Sequence, residues 1–386
     1  MSKNEKQSYL SAIKERYLKS SKQEKSIILK EFCAVCGYNK KYAIRLLNAK
    51  NNKTKKQNKS GAKPKYNSEL FISSLKTIWK NTDYLCSKRL KEVIPLWLPH
   101  YESFFEILPY NIKEQLLNIS PASIDRVLKP ARAVLKKVKS AGTKPGTLLK
   151  NQIPIKTDNW DVTSCGFVEA DTVAHCGNSL SGDFIWSLTI TDIHSGWTEN
   201  RAVWNKGAIG VLEQIKDIEK YLPFSLKGFD CDNGSEFLNY HLLRYFTENG
   251  KGTAFTRSRP YKKNDNAHVE QKNWTQVRQL FGYDRLDEQS LVEIMNSLYS
   301  KEWSIYNNFF RPSQKLIEKT KINSKYYKKY DKPKTPLLRV MESKEVSEEK
   351  KEELKEIFKT QNPFELKKAI EDKLNKILTM TKLPLF

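Results

Sequence analysis

The sequence predicts an α/β chain in which a mixed-sheet core at residues 156–290 is preceded by helical modules and followed by a basic, largely helical region at 291–386. Two observations predict this. Apolar residues recur at helical spacing up to about residue 139, then give way between about 160 and 285 to β-branched runs of strand length. Charge divides at the same places: residues 1–150 carry 32 basic and 11 acidic side chains, residues 151–290 carry 15 and 19, and residues 291–386 carry 21 and 14. The net charge of +24 from 68 Lys and Arg against 44 Asp and Glu is that of a polyanion binder. Its concentration in the flanks points to binding modules around a neutral to acidic centre.

In residues 1–50, Tyr9, Leu10, Ile13, Tyr17 and Leu18, then Ile27, Ile28 and Phe32, then Tyr42, Ile44, Leu46 and Leu47 mark three short helices. Ser20-Ser21 suits a cap for the second, Gly37 its end, and Asn39 the start of the third. A helix, a Gly-containing turn and a helix with Lys40, Lys41 and Arg45 have helix-turn-helix spacing, so these three are candidate DNA contacts. A three-helix bundle with a solvated basic face is the alternative. Residues 51–65 lack apolar periodicity and read as a basic linker. Residues 66–140 are expected to form a second helical DNA-binding domain. Its helices are marked by Leu70, Phe71, Leu75, Ile78 and Trp79, by Lys88 to Leu96, and by PASIDRVLKPAR, where Ser120 caps and Ser123, Arg126 and Lys129 are exposed candidates.

In the core, CGFVEADTV, DFIWSLTITD and WTENRAVW read as strands, and GAIGVLEQIKDIEKYL as a helix. LKGFDCD follows as a strand, SEFLNYHLLRYFTENG as a helix, TAFTRSR as a strand and NDNAHVEQKNWTQVRQLFG as a long helix. The order βββαβαβα signals a mixed sheet flanked by helices. Three carboxylates in distinct contexts stand out: Asp171 in VEADTV, Asp232 in CDNGSEF and Glu270 in KKNDNAHVEQKN. Acids from distant segments are what divalent ions on phosphate substrates require. Spacing alone leaves Glu169 beside Asp171, and Asp230 beside Asp232, because alternate strand residues share a face. Asp183, Asp192, Asp265 and Glu236 read as turn, cap or surface residues.

The acids in that order, with SRPYKKNDNAHVE, a spacing of 37 residues between Asp232 and Glu270, and YNNFFRPSQKL after the core, resemble the RNase H-like core of retroviral integrases and DDE transposases. The resemblance covers residues 160–316. The helical N-terminal half resembles bacterial insertion-sequence transposases less specifically. The resemblance selects Asp171, Asp232 and Glu270 as catalytic and metal-holding residues, with Glu169 and Asp230 supporting them, Gly234 turning the backbone and Asn233 orienting its loop. It implies two Mg²⁺ ions, with Mn²⁺ as a substitute, and attack by water or a 3′-hydroxyl on a phosphodiester. It also implies element ends and target DNA as partners and a homo-oligomer.

Arg257, Arg259, Lys262, Lys263 and Lys272 surround Glu270 in sequence and are candidate phosphate contacts, or else a solvated face. His268 reads as structural and Trp274 as a core residue. Basic and aromatic residues interleave from residue 320, and one or two charged helices follow. Cys33-x-x-Cys36 lacks a second half for zinc and reads as buried thiols. Six cysteines, no secretory signal and no long apolar run read as a cytosolic chain with no membrane partner, and the resemblance implies a bacterial one associated with the nucleoid. The expected function is DNA cleavage and strand transfer. The alternatives are a non-catalytic helix-turn-helix regulator and a metal-dependent nuclease without strand transfer.

Overall fold

The computed structural model describes residues 1–49, 65–133, 163–247, 252–258, 267–323 and 325–381. They fall into two units, Met1–Lys65 and Tyr66–Phe386.

The first unit is three helices, α1 (Lys3–Lys19), α2 (Lys22–Cys36) and α3 (Lys40–Asn48). Local chemistry sets each boundary. Ser2 with Glu5, and Ser21 with Glu24, form reciprocal capping boxes that satisfy the free amides opening α1 and α2. Gly37 ends α2 at φ +66°, a conformation that costs glycine little, and the Asn39 side chain accepts from the Lys41 amide to open α3. Tyr17, Ile28, Leu29, Phe32, Cys36, Ala43 and Leu47 form the core, with Cys33 packed against it. Lys40, Lys41 and Arg45 are exposed on α3, and the Arg45 guanidinium lies 5.0 Å from the centre of the Tyr42 ring.

The second unit opens with α4 (Glu69–Asn81), α5 (Ser87–Tyr101), α6 (Tyr110–Asn118) and α7 (Pro121–Ala133). Three of these depart from expectation. α5 continues past Leu96, through Pro95 and Pro99; burial of Val93, Ile94, Trp97, Leu98 and Tyr101 offsets the two hydrogen bonds that proline removes. α7 likewise passes Pro130, and α6 is an element the periodicity did not mark, its buried face being only Ile112 and Leu116. Nor do residues 66–133 stand apart as a domain. Phe71, Leu75, Trp97 and Leu128 belong to the same apolar core as the sheet residues Val168, Ile190 and Phe229. Trp97 joins the layers: its indole N–H donates to the Phe310 carbonyl (3.2 Å) and its ring meets Phe364 edge-on at 4.8 Å.

The expected order βββαβαβα is present. It comprises β1 (Phe167–Ala174), β2 (Ile185–Asp192), β3 (Thr198–Trp204), α8 (Ala208–Tyr221), β4 (Gly228–Cys231), α9 (Tyr240–Thr247), β5 (Ala254–Arg257) and α10 (Ala267–Lys272). The strands form one mixed sheet, β3-β2-β1-β4-β5, antiparallel from β3 to β1 and parallel from β1 to β5. α9 starts at Tyr240, later than its apolar pattern suggests, because Asn239 accepts from the Leu242 amide and donates to the Glu236 carbonyl, fixing a turn before it. α10 widens into a π-helical turn, Asn273–Arg278, and closes with α11 (Gln279–Phe281).

Beyond the core lie α12 (Leu291–Leu298), a second π-helical stretch at Tyr299–Trp303 and α13 (Ser304–Phe310). The interleaved basic and aromatic run, within a region expected to be largely helical, is a hairpin of β6 (Leu316–Ile322) and β7 (Lys325–Tyr330), with Tyr326, Tyr327 and Tyr330 exposed. α14 (Pro336–Glu342), α15 (Glu348–Thr360) and α16 (Pro363–Met380) complete the chain. Among the described residues no helix is long and apolar enough to cross a membrane.

Candidate active site

The sheet register sets the acids side by side. β1 pairs parallel with β4 as Glu169↔Asp230 and Ala170↔Cys231, so the next step along both chains places Asp171 level with Asp232, one residue past the end of β4. Glu270 comes from α10. It lines a cavity of about 230 Å³ with Asp171, Thr172, Asn273, Trp274 and Arg278.

Side chains and backbone hold these acids in defined ways. The Asp171 Oδ1 accepts from the Thr172 amide (2.8 Å) and its Oδ2 from Asn273 Nδ2 (2.7 Å). Asp232 Oδ1 accepts from the Gly234 amide (2.9 Å), closing the DNG turn. Burial pushes the Asp171 carboxyl well up, and the negative charges of Asp232, Glu236 and Glu270 push it further. Burial and then Glu236 raise Asp232 to about 6, against the Gly234 amide and Lys206. The acids therefore share one electrostatic site.

The two acids left open by spacing are bonded elsewhere. Glu169 is buried, and its Oε2 accepts from the amides of His268 (3.0 Å) and Val269 (3.1 Å), the open N-terminal donors of the helix that carries Glu270. Asp230 is buried and accepts from Thr256 Oγ1 (2.6 Å) on β5. Each braces an element from below the site.

Glu236 overturns its reading as a turn or surface residue. Its carboxyl is fully buried, with Oε1 accepting from Thr172 Oγ1 (2.7 Å) and from Lys206 Nζ (2.8 Å), while Oε2 has no hydrogen-bond partner. A Cβ at Gly234 would meet this carboxylate at 2.3–2.6 Å, so Gly234 serves close approach. Lys206 also sits 4.6 Å from the centre of the Trp186 ring. The signal for Glu236 was present in DNGSEF itself; nothing local marked Lys206, which arrives from the turn after β3.

The basic candidates divide. Arg257 is buried on β5 and its Nη1 donates to Asn233 Oδ1 (2.9 Å), while Asn233 Nδ2 donates to the Ser258 carbonyl (3.0 Å), so Arg257 braces the Asp232 loop from inside the fold. Lys272 does not face the acids. Its Nζ donates to the Gly196 carbonyl (2.9 Å) in a cavity reached from another side of α10, and burial there lowers its pKa to about 7. Arg126 and Lys129 are exposed on α7, whereas Ser123 is half-buried and its hydroxyl and amide are taken by Ser120. Trp274, expected in the core, is 45% exposed and lines the acid cavity. His268 is exposed, its amide bonded to Glu169. Asp192 is a buried turn residue that accepts from Ser195 and Gly166, and Asp183 accepts from Asn205 at the surface. Arg259, Lys262, Lys263 and Asp265 lie outside the described residues.

The donor set suits a hard divalent ion, since it is oxygen throughout and includes a buried carboxylate oxygen with no partner. Among the described residues, however, no three His, Cys, Asp or Glu side chains converge on one ion position.

A protein of Sinorhizobium fredii (strain NBRC 101917 / NGR234) called uncharacterized protein y4rM is 37% identical over 330 residues, which cover 85% of this chain and 93% of that protein. The chain belongs to the y4rM family. No protein-family model matches it. Among solved structures, the catalytic core of BIV integrase is 17% identical, covering 38% of this chain and 86% of that one at a TM-score of 0.29. The catalytic core of HTLV-2 integrase, solved with magnesium in a dimeric form, is 12% identical and covers 39% and 91% at a TM-score of 0.28. In this member of the y4rM family, the sheet register and the side chains around it define the site.

Proposed function

We propose that this chain is a metal-dependent DNA transposase that cleaves and joins strands at Asp171, Asp232 and Glu270. The observation that carries this reading is the convergence of the acids: the sheet register sets Asp171 level with Asp232, Glu270 of α10 lines the same cavity as Asp171, and burial and the charges of Asp232, Glu236 and Glu270 raise the proton affinity of Asp171. Such crowding of like charge costs stability unless a cation resolves it.

Asp171, Asp232 and Glu270 would hold two Mg²⁺ ions, or Mn²⁺ in their place, whose chemistry is to lower the pKa of the attacking hydroxyl and stabilise the departing 3′-oxygen. The protein's own part is positional. Glu169 fixes the start of α10 and so the reach of Glu270. Asn273 orients the Asp171 carboxylate. Arg257 and Asn233 hold the Asp232 loop against β5. The exposed Lys40, Lys41 and Arg45 of α3 would meet a DNA groove as the second helix of a helix-turn-helix, and Arg126 and Lys129 of α7 would add phosphate contacts. Pairing two element ends calls for a homo-oligomer.

Product analysis tests the reading. The purified chain is incubated with the DNA flanking its coding region, a target plasmid and Mg²⁺ or Mn²⁺. Joined products are expected. Cleavage without joining identifies a nuclease, and binding without either identifies a regulator.

A further inference from the structure

A second cavity, of about 660 Å³, lies on another side of α10 from the acids, and five of the residues that line it are cations. Arg89 enters from α5, Lys272 from α10, Arg311 and Lys315 from the segment between α13 and β6, and Lys328 from the hairpin. Four parts of the fold thus bring positive charge to one place. Like charges gathered in a partly buried cavity repel and lose hydration, so they call for a counter-charge.

The acids nearby supply it only in part, Asp192 and Asp331 acting on Lys315 through space without an ion pair. Asp192, the carboxylate that lines the cavity, is engaged by the Ser195 amide and hydroxyl and the Gly166 amide. Asp331 accepts from the Lys315 amide and pairs with Arg339 at 2.6 Å. Arg311 shares Asp83, at 3.5 Å, with Lys367. Among the described residues no acid forms an ion pair with Arg89, Lys272 or Lys315; the Lys272 ammonium bonds a carbonyl, and the Arg89 Nε is sealed from solvent with no hydrogen-bond partner. A guanidinium held there without an acceptor leaves a strong, forked donor unused. Arginine in that state suits phosphate, whose oxygens accept two parallel N–H bonds. Burial, and then Arg339, also lower the Lys315 ammonium to about 8.

We propose that this cavity binds a backbone phosphate of the DNA substrate, with Arg89 and Lys315 as its principal contacts. The inference rests on the DNA-processing reading above and adds to it a site between the helical layer, the helix that carries Glu270 and the C-terminal hairpin. A strand held there is tied to the same helix that presents Glu270 to the acid cavity. A phosphate held by the cavity also locks α5 and the hairpin to α10, so DNA would stiffen the layers against each other.

The test measures binding of a fluorescent 30-base-pair duplex of arbitrary sequence in EDTA, over a range of KCl concentrations, so that no chemistry intervenes. The full chain is compared with Arg89→Gln/Lys315→Gln and with Lys355→Gln/Lys359→Gln, whose lysines pair with glutamates on the exposed face of α15. Removing both contacts to this one phosphate lowers the slope of log K against log salt by about one. The α15 variant keeps the parent slope. Because the substituted cations form no ion pair, the Arg89→Gln/Lys315→Gln protein is expected to melt no lower than the parent without DNA; if it fails to fold, Lys315→Gln alone is expected to lower the slope by about half as much. A parallel thermal melt in inorganic phosphate, against KCl of equal ionic strength, separates the source of the anion. An unchanged slope in the folded variant overturns the proposal, and phosphate stabilisation lost alongside an unchanged slope assigns the cavity to a free phosphorylated molecule instead. Absence of duplex binding by the parent chain would instead overturn the DNA-processing reading itself.

Discussion

At the residue scale, five acids within two short motifs are sorted by their bonds. Glu169 and Asp230 spend their oxygens on the α10 amides and on Thr256, whereas Asp171 and Asp232 face each other's charge. The sign of their titration follows. Asp232 has a folded pKa near 6, above the ordinary 3.8, so its ionisation opposes folding: the cost begins as pH rises past about 4 and is complete above about 6. Without divalent ions, Asp232→Asn should therefore raise the melting stability at pH 8 by on the order of 2 kcal/mol and change it little at pH 3.5, as thermal melts at both pH values would show. Adding Mg²⁺ should stabilise the parent more than the variant. Gly234→Ala tests the fourth carboxylate. The new methyl displaces Glu236 from Thr172 and Lys206, so stability should fall by about 1–3 kcal/mol, while alanine at the exposed Ser235 should cost less than about 0.5 kcal/mol.

At the element scale, the long helix after β5 carries the site. Glu169→Gln keeps the side chain's size but weakens a charge-assisted cap on α10, so stability should drop by about 0.5–2 kcal/mol and apparent Mg²⁺ affinity by roughly tenfold, both measurable by thermal melts with increasing Mg²⁺. Much of this scale was legible in the sequence. The caps at Ser21, Gly37 and Asn39 and the apolar, β-branched runs of the five strands are local signals, and local signals survive folding. The exceptions have non-local causes. α5 runs through two prolines because Trp97 and its neighbours are buried against the C-terminal helices, and no window around Pro95 contains that information. The hairpin β6–β7 was masked by its own composition, since its tyrosines and lysines are exposed on both faces. The π turn at Asn273–Arg278, which lets Asn273 reach Asp171, has no spacing signature of its own.

At the scale of the whole molecule, the helical layer, the sheet and the C-terminal helices of Tyr66–Phe386 share one core, while Met1–Lys65 has its own. Charge partition in the sequence separated the flanks from the centre but carried no information about which flank packs on it. The consequence is testable by truncation. A chain beginning at Tyr66 should melt cooperatively near the parent temperature, whereas one ending before α14 exposes Trp97 and Tyr101, which pack on Phe364, and should lose the cooperative transition. Trp97→Ala in the full chain should cost about 3–5 kcal/mol.

In the proposed reaction three acids act together on DNA. Single-turnover cleavage of end DNA, followed with and without Mg²⁺ for the parent chain and for Asp171→Asn, Asp232→Asn and Glu270→Gln, tests this most directly. Strict dependence on the divalent ion and a loss of at least about a hundredfold for each variant, with duplex binding in EDTA retained, is the expected result. Cleavage within a few-fold of the parent by any one of the three variants, or undiminished cleavage in EDTA, would contradict it.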